Sequence, residues 1–409
     1  YSIYMSPTHD SVTTIVSLCG GGIPAVHYCT GILYSLYKCG ELLEDIDGKQ
    51  VINSNLVITA SSGGTVPLML LHFVLTNELH HTRADWFEHY IINTVNLIHP
   101  ILMIELFGTS LLKSISICSK ITELTRMCSE NLRNLVGRVI PSEIMKGKSI
   151  HFIEDSIHSQ FKYNYVIDSE LYDSPVVSND FTHLNSFDPI TQICELIVMC
   201  CVPISLSQVK VGIINDAALL IDNDILDLQK FKNLKVIDYY TLRAYDAKTN
   251  NSYSDALFLI KRFTDRAFRI FNYRAINNIK KYIDTLNLNN PMNQVTFNLV
   301  TFPNKFDPVC KYNNKIYRDV VPYIFYQDDF RNDALSIPGI LNGDSRMLQL
   351  IFLVGAFETF YLRKVNEETV KIFIDDLPTI YKEVLDNPYY IYFKTDPLSV
   401  LSRFVSALF

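Results

Sequence analysis

The stretch LVITASSGGTVPLML, residues 56–70, decides the fold of this 409-residue chain, because it joins two structural patterns through one tight turn. Leu56 to Thr59 is a short apolar run rich in β-branched residues, which is typical of a buried parallel strand. The small residues Ala60 to Gly64 follow, and an apolar, helix-like run begins at about Thr65. Pro67 is compatible with that helix because it falls in the first turn. The stretch therefore predicts a strand, a tight turn and a helix.

A second unit of the same kind lies nearer the start of the chain. Val12 to Leu18 reads VTTIVSL, another β-branched run, and it leads into Gly20, Gly21 and Gly22. Apolar residues then recur at helical spacing until Gly40, a natural helix stop. Two such units within the first 80 residues predict an α/β fold with a mainly parallel central sheet.

The rest of the chain is divided by pattern. We expect residues 1–250 to form the α/β core, with a helical insertion around 84–150, and residues 251–409 to form a mostly helical C-terminal extension packed on it. Apolar periodicity predicts a helix within 191–205 that ends before Pro203 and a long amphipathic helix over 255–286. Strands are predicted within the segments 149–157, 162–170, 209–215, 235–242 and 294–302.

Composition narrows the functional classes. Hydrophobic residues make up 48% of the chain and charged residues 19%, enough for a large core. The net charge of −7 argues against a nucleic-acid partner, which would favour a basic face. Nine cysteines follow neither metal nor disulfide spacing, and no secretory pattern or 18-residue apolar run is found. We therefore expect a reducing, cytoplasmic location.

The ASSGG turn is the first candidate for chemistry. It matches the nucleophile elbow G-x-S-x-G with Ala60 in place of the first glycine, which makes Ser62 the candidate nucleophile. Small neighbours are needed because the turn strains the serine backbone and brings strand and helix close together. The helix N-terminus would favour an alkoxide. The alternative from the residues alone is a serine that caps the helix.

The three glycines also allow more than one interpretation. Ile23, Pro24 and Ala25 follow them, so neither the dinucleotide fingerprint nor the phosphate-binding loop is present. Successive glycines can point backbone N–H groups at an anion, as an oxyanion hole requires. An oxyanion-binding turn and a plain tight turn both remain open.

Asp216 is the candidate base. It follows an apolar run in VGIINDAALLIDN, residues 211–223, and burial there would raise its pKa. The alternative is a capping aspartate. His27, His80, His81 and His89 do not lie after a late strand, so we read them as core or surface residues and not as part of a Ser-His-Asp triad. No metal-binding spacing is present.

Taken together, three segments resemble the patatin-like phospholipase family. They are CGGGIPA at 19–25, VITASSGGTV at 57–66 and CCVPISLSQVKVGIINDAALLIDN at 200–223. The family pattern has a strand followed by G-G-G-x-R-G, a later strand followed by G-x-S-x-G, and a D-G motif after a third strand. The resemblance covers about residues 12–240 and implies a three-layer α/β/α fold.

The resemblance also implies a Ser-Asp dyad and a class of substrate. Ser62 would attack an ester carbonyl, Asp216 would accept its proton, and the backbone of Gly20, Gly21 and Gly22 would stabilise the oxyanion. The substrate would be a lipid or other acyl ester, reached at a membrane surface, and no metal or cofactor would be needed. The apolar stretch 86–107 is a candidate for membrane contact.

Four departures from the family pattern leave two functions open. Pro24 and Ala25 replace the family's Arg-Gly, Ala60 replaces the first glycine of the elbow, and Ala217 replaces the glycine of D-G. The first expectation is a lipid acyl hydrolase of the phospholipase A or esterase type. The second is a weak or inactive patatin-like scaffold or lipid-binding protein, for which a peripheral-membrane or virion-associated role would be natural.

Overall fold

The structure is a computed structural model, and the part of the chain that it describes contains both predicted strand–turn–helix units. The described residues are 14–18, 20, 22–91, 93–94, 97, 133–134, 136–152, 160–167, 176–178, 181–200, 232–238, 274 and 276–301. The predicted strand at 209–215, Asp216, Ala217 and the region after residue 301 lie outside them.

Six strands form one sheet, and five of them are parallel. The strands within the described residues are β1 (Thr14–Leu18), β2 (Leu43–Ile46), β3 (Lys49–Ile52), β4 (Leu56–Ser61), β5 (Phe161–Ile167), β6 (Val176–Ser178), β7 (Asn233–Asp238) and β8 (Thr296–Thr301). The order in the large sheet is β6-β5-β4-β1-β7-β8, and only β6 runs antiparallel to its neighbour. The prediction of an α/β fold with a mainly parallel sheet is confirmed. Because β8 pairs with β7, the sheet includes a strand from beyond residue 250.

Helices pack on both faces of this sheet. The helices α1 (Gly22–Lys38) and α2 (Thr65–Thr76) follow β1 and β4, and they share one apolar core with Val16, Leu18 and Ile58. On the other face, a smaller core joins β1, β7 and the helical residues 276–289; its buried members are Ile15, Leu234, Val236, Ile276, Ile279, Ile283 and Val295. Alternate residues of a strand point to opposite faces, so β1 contributes to both cores.

The predicted stop of α1 at Gly40 is confirmed. Gly40 has a φ of +70°, its N–H donates to the carbonyl of Tyr37, and the N–H of Glu41 donates to the carbonyl of Leu36. These bonds satisfy the last carbonyls of the helix, and the left-handed backbone favours glycine at this position.

The hairpin formed by β2 and β3 was not predicted. Its turn is Asp47–Gly48, with φ values of +54° and +77°. Two consecutive left-handed residues match the type I′ turn that suits a two-residue hairpin, and Asp-Gly is its common sequence. The signal was therefore present in the sequence, but the flanking strands are only four residues long.

The prediction of a strand at 149–157 is wrong for the described residues 149–152, which join neither sheet. Three side-chain amides bind the backbone of residues 148–152, and they replace the hydrogen bonds that a neighbouring strand would make. Each amide accepts from the backbone N–H and donates to the backbone C=O of one residue, pairing Asn77 with Lys148, Gln192 with Ile150 and Asn185 with Phe152. The backbone polar groups are thus satisfied without a ladder.

The strand β6 (Val176–Ser178) was not predicted, whereas one further helix and three further strands agree with the predictions. The helix α3 (Pro189–Cys200) begins two residues before the segment 191–205 and overlaps the helix predicted there. The strands β5, β7 and β8 overlap the strands predicted within 162–170, 235–242 and 294–302. Helical residues at 86–91, 133–134, 136–139 and 142–145 fall in the predicted insertion. For the long helix predicted over 255–286, the described residues from 276 onwards are helical, and the helix continues to residue 289.

Candidate functional site

The sheet order brings the two predicted turns to one edge. The chain leaves β1 towards β4 on one side, whereas β7 pairs with β1 on the other side. Such a change of direction in an open parallel sheet leaves a crevice at the carboxyl ends of the strands, where ligands bind. Both the glycine-rich turn after β1 and the serine turn after β4 lie at this edge.

Ser62 has a strained backbone conformation. Its φ is +47°, it begins a short 3₁₀ turn that ends at Gly64, and α2 starts at the next residue. Ser62 is buried, with 8% of the residue exposed. A non-glycine residue with positive φ is uncommon and costs about 1–3 kcal/mol, and such strain is found mainly at functional sites. The nucleophile elbow predicts this conformation at this residue.

The alternative of a capping serine does not describe this turn. The residue that precedes the 3₁₀ turn is Ser61, and its side chain makes no capping hydrogen bond. The residue that precedes α2 is Gly64, which has no side chain to make one. Neither helix start in this turn is therefore capped by a serine side chain at its N-cap position.

The glycine-rich turn lies beside Ser62. Leu18 of β1 pairs with Ala60 of β4 in the sheet. Gly20 follows Leu18 by two residues, and Ser62 follows Ala60 by two residues. Neighbouring strands are about 4.8 Å apart. Gly20 is buried and Gly22 is the first residue of α1, which contacts the 3₁₀ turn. The helix that begins at Gly22 thus contacts the turn that begins at Ser62, whereas Gly21 and Asp216 lie outside the described residues.

The histidines have structural surroundings. His27 is 2% exposed, neither ring nitrogen has a hydrogen-bond partner, and burial lowers its pKa to about 3. The Nε2 atom of His80 lies 2.6 Å from the carbonyl oxygen of Gln50, which ties it to the hairpin, whereas His81 is exposed and His89 is half-buried. These positions agree with the reading of core and surface histidines. Within the described ranges no three histidine, cysteine or acidic side chains are grouped as a metal site would require.

One polar pair was missed by the sequence reasoning. The Nδ1 atom of His72 in α2 lies 3.1 Å from the hydroxyl oxygen of Tyr163 in β5, and the His72 ring stacks on Phe161 with centroids 4.5 Å apart. Burial lowers the pKa of His72 to about 3, so the ring is neutral at physiological pH. No motif marks these residues, because they meet only through the pairing of β4 with β5.

The stretch that was considered for membrane contact is partly in the core. Trp86, Phe87, Tyr90 and Ile91 are each less than 5% exposed, and Tyr37 stacks on Phe87 with ring centroids 4.2 Å apart. In the described part of the chain, no helix has both the length and the apolar character that crossing a bilayer requires.

No protein-family model matches the chain, and no curated protein matches it either.

Proposed function

We propose that the protein is a lipid acyl hydrolase of the phospholipase A or esterase type, with a patatin-like three-layer fold and Ser62 as its nucleophile. The observation that carries the proposal is the positive φ of Ser62 at the end of β4, directly beside the glycine-rich turn. This is the arrangement that a serine nucleophile and its oxyanion hole require.

The proposed reaction has two steps. The Ser62 hydroxyl oxygen attacks the ester carbonyl carbon while Asp216 accepts the hydroxyl proton, and the leaving alcohol takes that proton as the tetrahedral intermediate collapses to an acyl-serine. Backbone N–H groups of Gly20, Gly21 and Gly22 stabilise the oxyanion. A water molecule, deprotonated by Asp216, then releases the fatty acid and regenerates Ser62. Neither a metal nor a cofactor takes part.

A catalytically weak scaffold or lipid-binding protein is the second candidate, and one observation favours it. Pro24 is the third residue of α1, where the backbone N–H groups of the first turn have no partner within the helix. Proline has no N–H, so the first turn of α1 has one backbone donor fewer next to the proposed oxyanion turn, and the arginine of the family pattern is missing as well. Under this proposal the fold retains the crevice without rapid turnover.

Active-site labelling decides between the two candidates. A fluorophosphonate probe reacts covalently with an activated serine, and we expect it to label the wild-type protein and Ser61→Ala but not Ser62→Ala. Ser61 is the matched control because it is the adjacent serine, is buried to a similar degree and has an extended backbone with φ −136°. Asp216→Asn should slow labelling by about 100-fold or more, because general-base catalysis contributes at least that factor.

The substrate class needs a second measurement. The labelled protein should hydrolyse a short-chain nitrophenyl ester and release fatty acid from phosphatidylcholine vesicles, and both activities should disappear in Ser62→Ala. Folded wild-type protein that neither reacts with the probe nor hydrolyses the ester would refute the hydrolase and support the scaffold.

A further inference from the structure

The connection between the helix 276–289 and β8 carries the two most exposed large apolar side chains of the described residues. Leu288 is 82% exposed and Met292 is 93% exposed, whereas the next two in this group, Ile46 and Phe187, are 50% and 38% exposed. Single apolar side chains at a surface are ordinary, but neighbouring ones are typical of an interaction site. We call residues 287–295 the connecting loop.

The connecting loop has a fixed shape. The side-chain amide of Asn287 donates to the carbonyl of Val295 at 2.9 Å and accepts from its N–H at 2.7 Å. The N–H of Asn293 donates to the carbonyl of Asn290 at 3.2 Å, which closes a β-turn with Pro291 in its second position. Both ends of the loop and its tip are thus tied, so the two apolar side chains are presented to solvent by an ordered backbone.

Exposed lysines surround the loop, which itself carries no charged residue. Lys280 and Lys281 precede Leu288 by about two helical turns, which is about 10–12 Å along the helix axis. Lys232 adjoins the start of β8, because its carbonyl accepts the N–H of Thr296 at 2.7 Å. The apolar side chains therefore lie in an uncharged patch with basic residues on both sides.

These lysines are largely uncompensated. Within the described part of the chain, none of the three has an ion-pair partner. Asp284 is the one acidic residue in the segment 276–296, so three positive charges minus one negative charge leave +2 around the loop. The whole chain has a net charge of −7, which makes this basic surface a local feature and not a consequence of composition.

We propose that the connecting loop docks on the surface of an anionic phospholipid bilayer. Leu288 and Met292 enter the boundary between headgroups and acyl chains, and the lysines lie against the lipid phosphates. Membrane-surface binding combines buried apolar area with attraction of lysines to anionic lipids, and the long lysine side chain keeps its charge at the headgroups while its stem covers apolar surface. An anionic bilayer uses both features of this loop at once.

The docking surface is separate from the candidate active site. The connecting loop precedes β8 and so lies at the amino ends of the parallel strands, whereas Ser62 follows β4 at their carboxyl ends. The six residues of β8 span about 20 Å. Docking at the loop holds the protein on a bilayer with the crevice facing away from that bilayer. The inference therefore does not rest on hydrolysis by Ser62.

Vesicle co-sedimentation of the full chain tests the proposal. The protein carries Ser62→Ala, so that no lipid is hydrolysed. We expect it to bind vesicles of phosphatidylserine and phosphatidylcholine, and to bind vesicles of phosphatidylcholine alone more weakly. Leu288→Asn and Met292→Asn should each weaken binding about 10-fold or more, because burial of such a side chain is worth at least that factor. Lys281→Gln should weaken binding about 5-fold, and only to the anionic vesicles.

Ile46→Asn is the matched control. Ile46 is also an exposed apolar residue, but Asp45 and Asp47 flank it, and an anionic surface repels their carboxylates. This variant should bind as its parent does, and all the variants should unfold at nearly the same temperature because the substituted side chains are exposed.

Three results would overturn the proposal. In the first, the folded protein does not bind the anionic vesicles. In the second, Leu288→Asn and Met292→Asn bind them as tightly as Ile46→Asn. In the third, sedimentation without lipid shows that the chain self-associates and that Met292→Asn makes it monomeric, which would identify the loop as a contact between copies of the chain. Because every variant lacks the Ser62 hydroxyl, each result is separate from that of probe labelling.

Discussion

The strain at Ser62 leads to a prediction that needs no substrate. A left-handed backbone costs a residue with a Cβ atom about 1–2 kcal/mol, and glycine is free of this cost. At an ordinary position glycine is instead less favourable than alanine by about 0.5–1 kcal/mol, because it loses more backbone freedom on folding. At φ +47° the first effect exceeds the second, so we expect Ser62→Gly to be more stable than Ser62→Ala.

Ser61 provides the matched comparison. It has φ −136° and is 5% exposed, against 8% for Ser62, so the substitutions remove a hydroxyl from a similar environment. At Ser61 we expect the usual order, with alanine more stable than glycine by about 0.5–1 kcal/mol. At each position the free energy of unfolding of the Ala variant is subtracted from that of the Gly variant. The difference between the two results cancels the backbone entropy of glycine and leaves the cost of the left-handed backbone, about 1–2 kcal/mol.

The measurement is urea unfolding of the four variants. The free energies of unfolding can be compared directly if the dependence on urea, the m-value, is the same in all four. The expected result is a reversal of the Gly/Ala order between the two adjacent positions. If alanine is the more stable residue at both, Ser62 does not have the backbone conformation on which its proposed role as nucleophile depends.

Two further predictions concern buried polar groups. His27 has a pKa of about 3 in the folded protein, below its ordinary value of 6.5, so the unfolded chain binds more protons between these values and stability falls as the pH drops below 6.5. Between pH 7 and pH 5 this loss is about 2 kcal/mol, and His27→Leu should remove that part of the pH dependence of urea unfolding. Gln192→Ala should lower the free energy of unfolding by about 3 kcal/mol, because it leaves the N–H and C=O of Ile150 and the C=O of Leu184 buried without their partner. Gln50→Ala, an exposed glutamine in the hairpin, should change it by less than about 0.5 kcal/mol.

The features that could be predicted from the sequence are those that depend on residues close together in the chain. The two strand–turn–helix units follow from apolar runs that end at glycines, and the positive φ of Ser62 follows from the elbow motif. The Asp47–Gly48 hairpin was also readable, but short strands give a weak signal. These features are local, so a pattern of a few residues is enough to specify them.

What could not be predicted depends on pairing between distant segments. His72 and Tyr163 look like ordinary helix and strand residues until β4 and β5 are placed side by side. The segment 149–152 has the composition of a strand, but its backbone is bound by the side-chain amides of Gln192 and Asn185, and no described strand pairs with it. Such contacts leave no periodic signal in the segment itself, because the partner residues lie elsewhere in the chain.

The loss of glycines from the family pattern has a different meaning at each position. Ala60 lies in regular strand structure, and Ser62 alone within the turn has a positive φ; Gly64 has φ −68°. The first position of the elbow therefore needs a small residue for space and not glycine for its backbone freedom, and alanine meets that need. Pro24 differs, because it removes a backbone donor at the start of α1. Under the proposed function these departures leave the conformation of Ser62 unchanged and remove a backbone donor next to the proposed oxyanion turn, so a defect should reduce oxyanion or headgroup binding before it changes the conformation of Ser62.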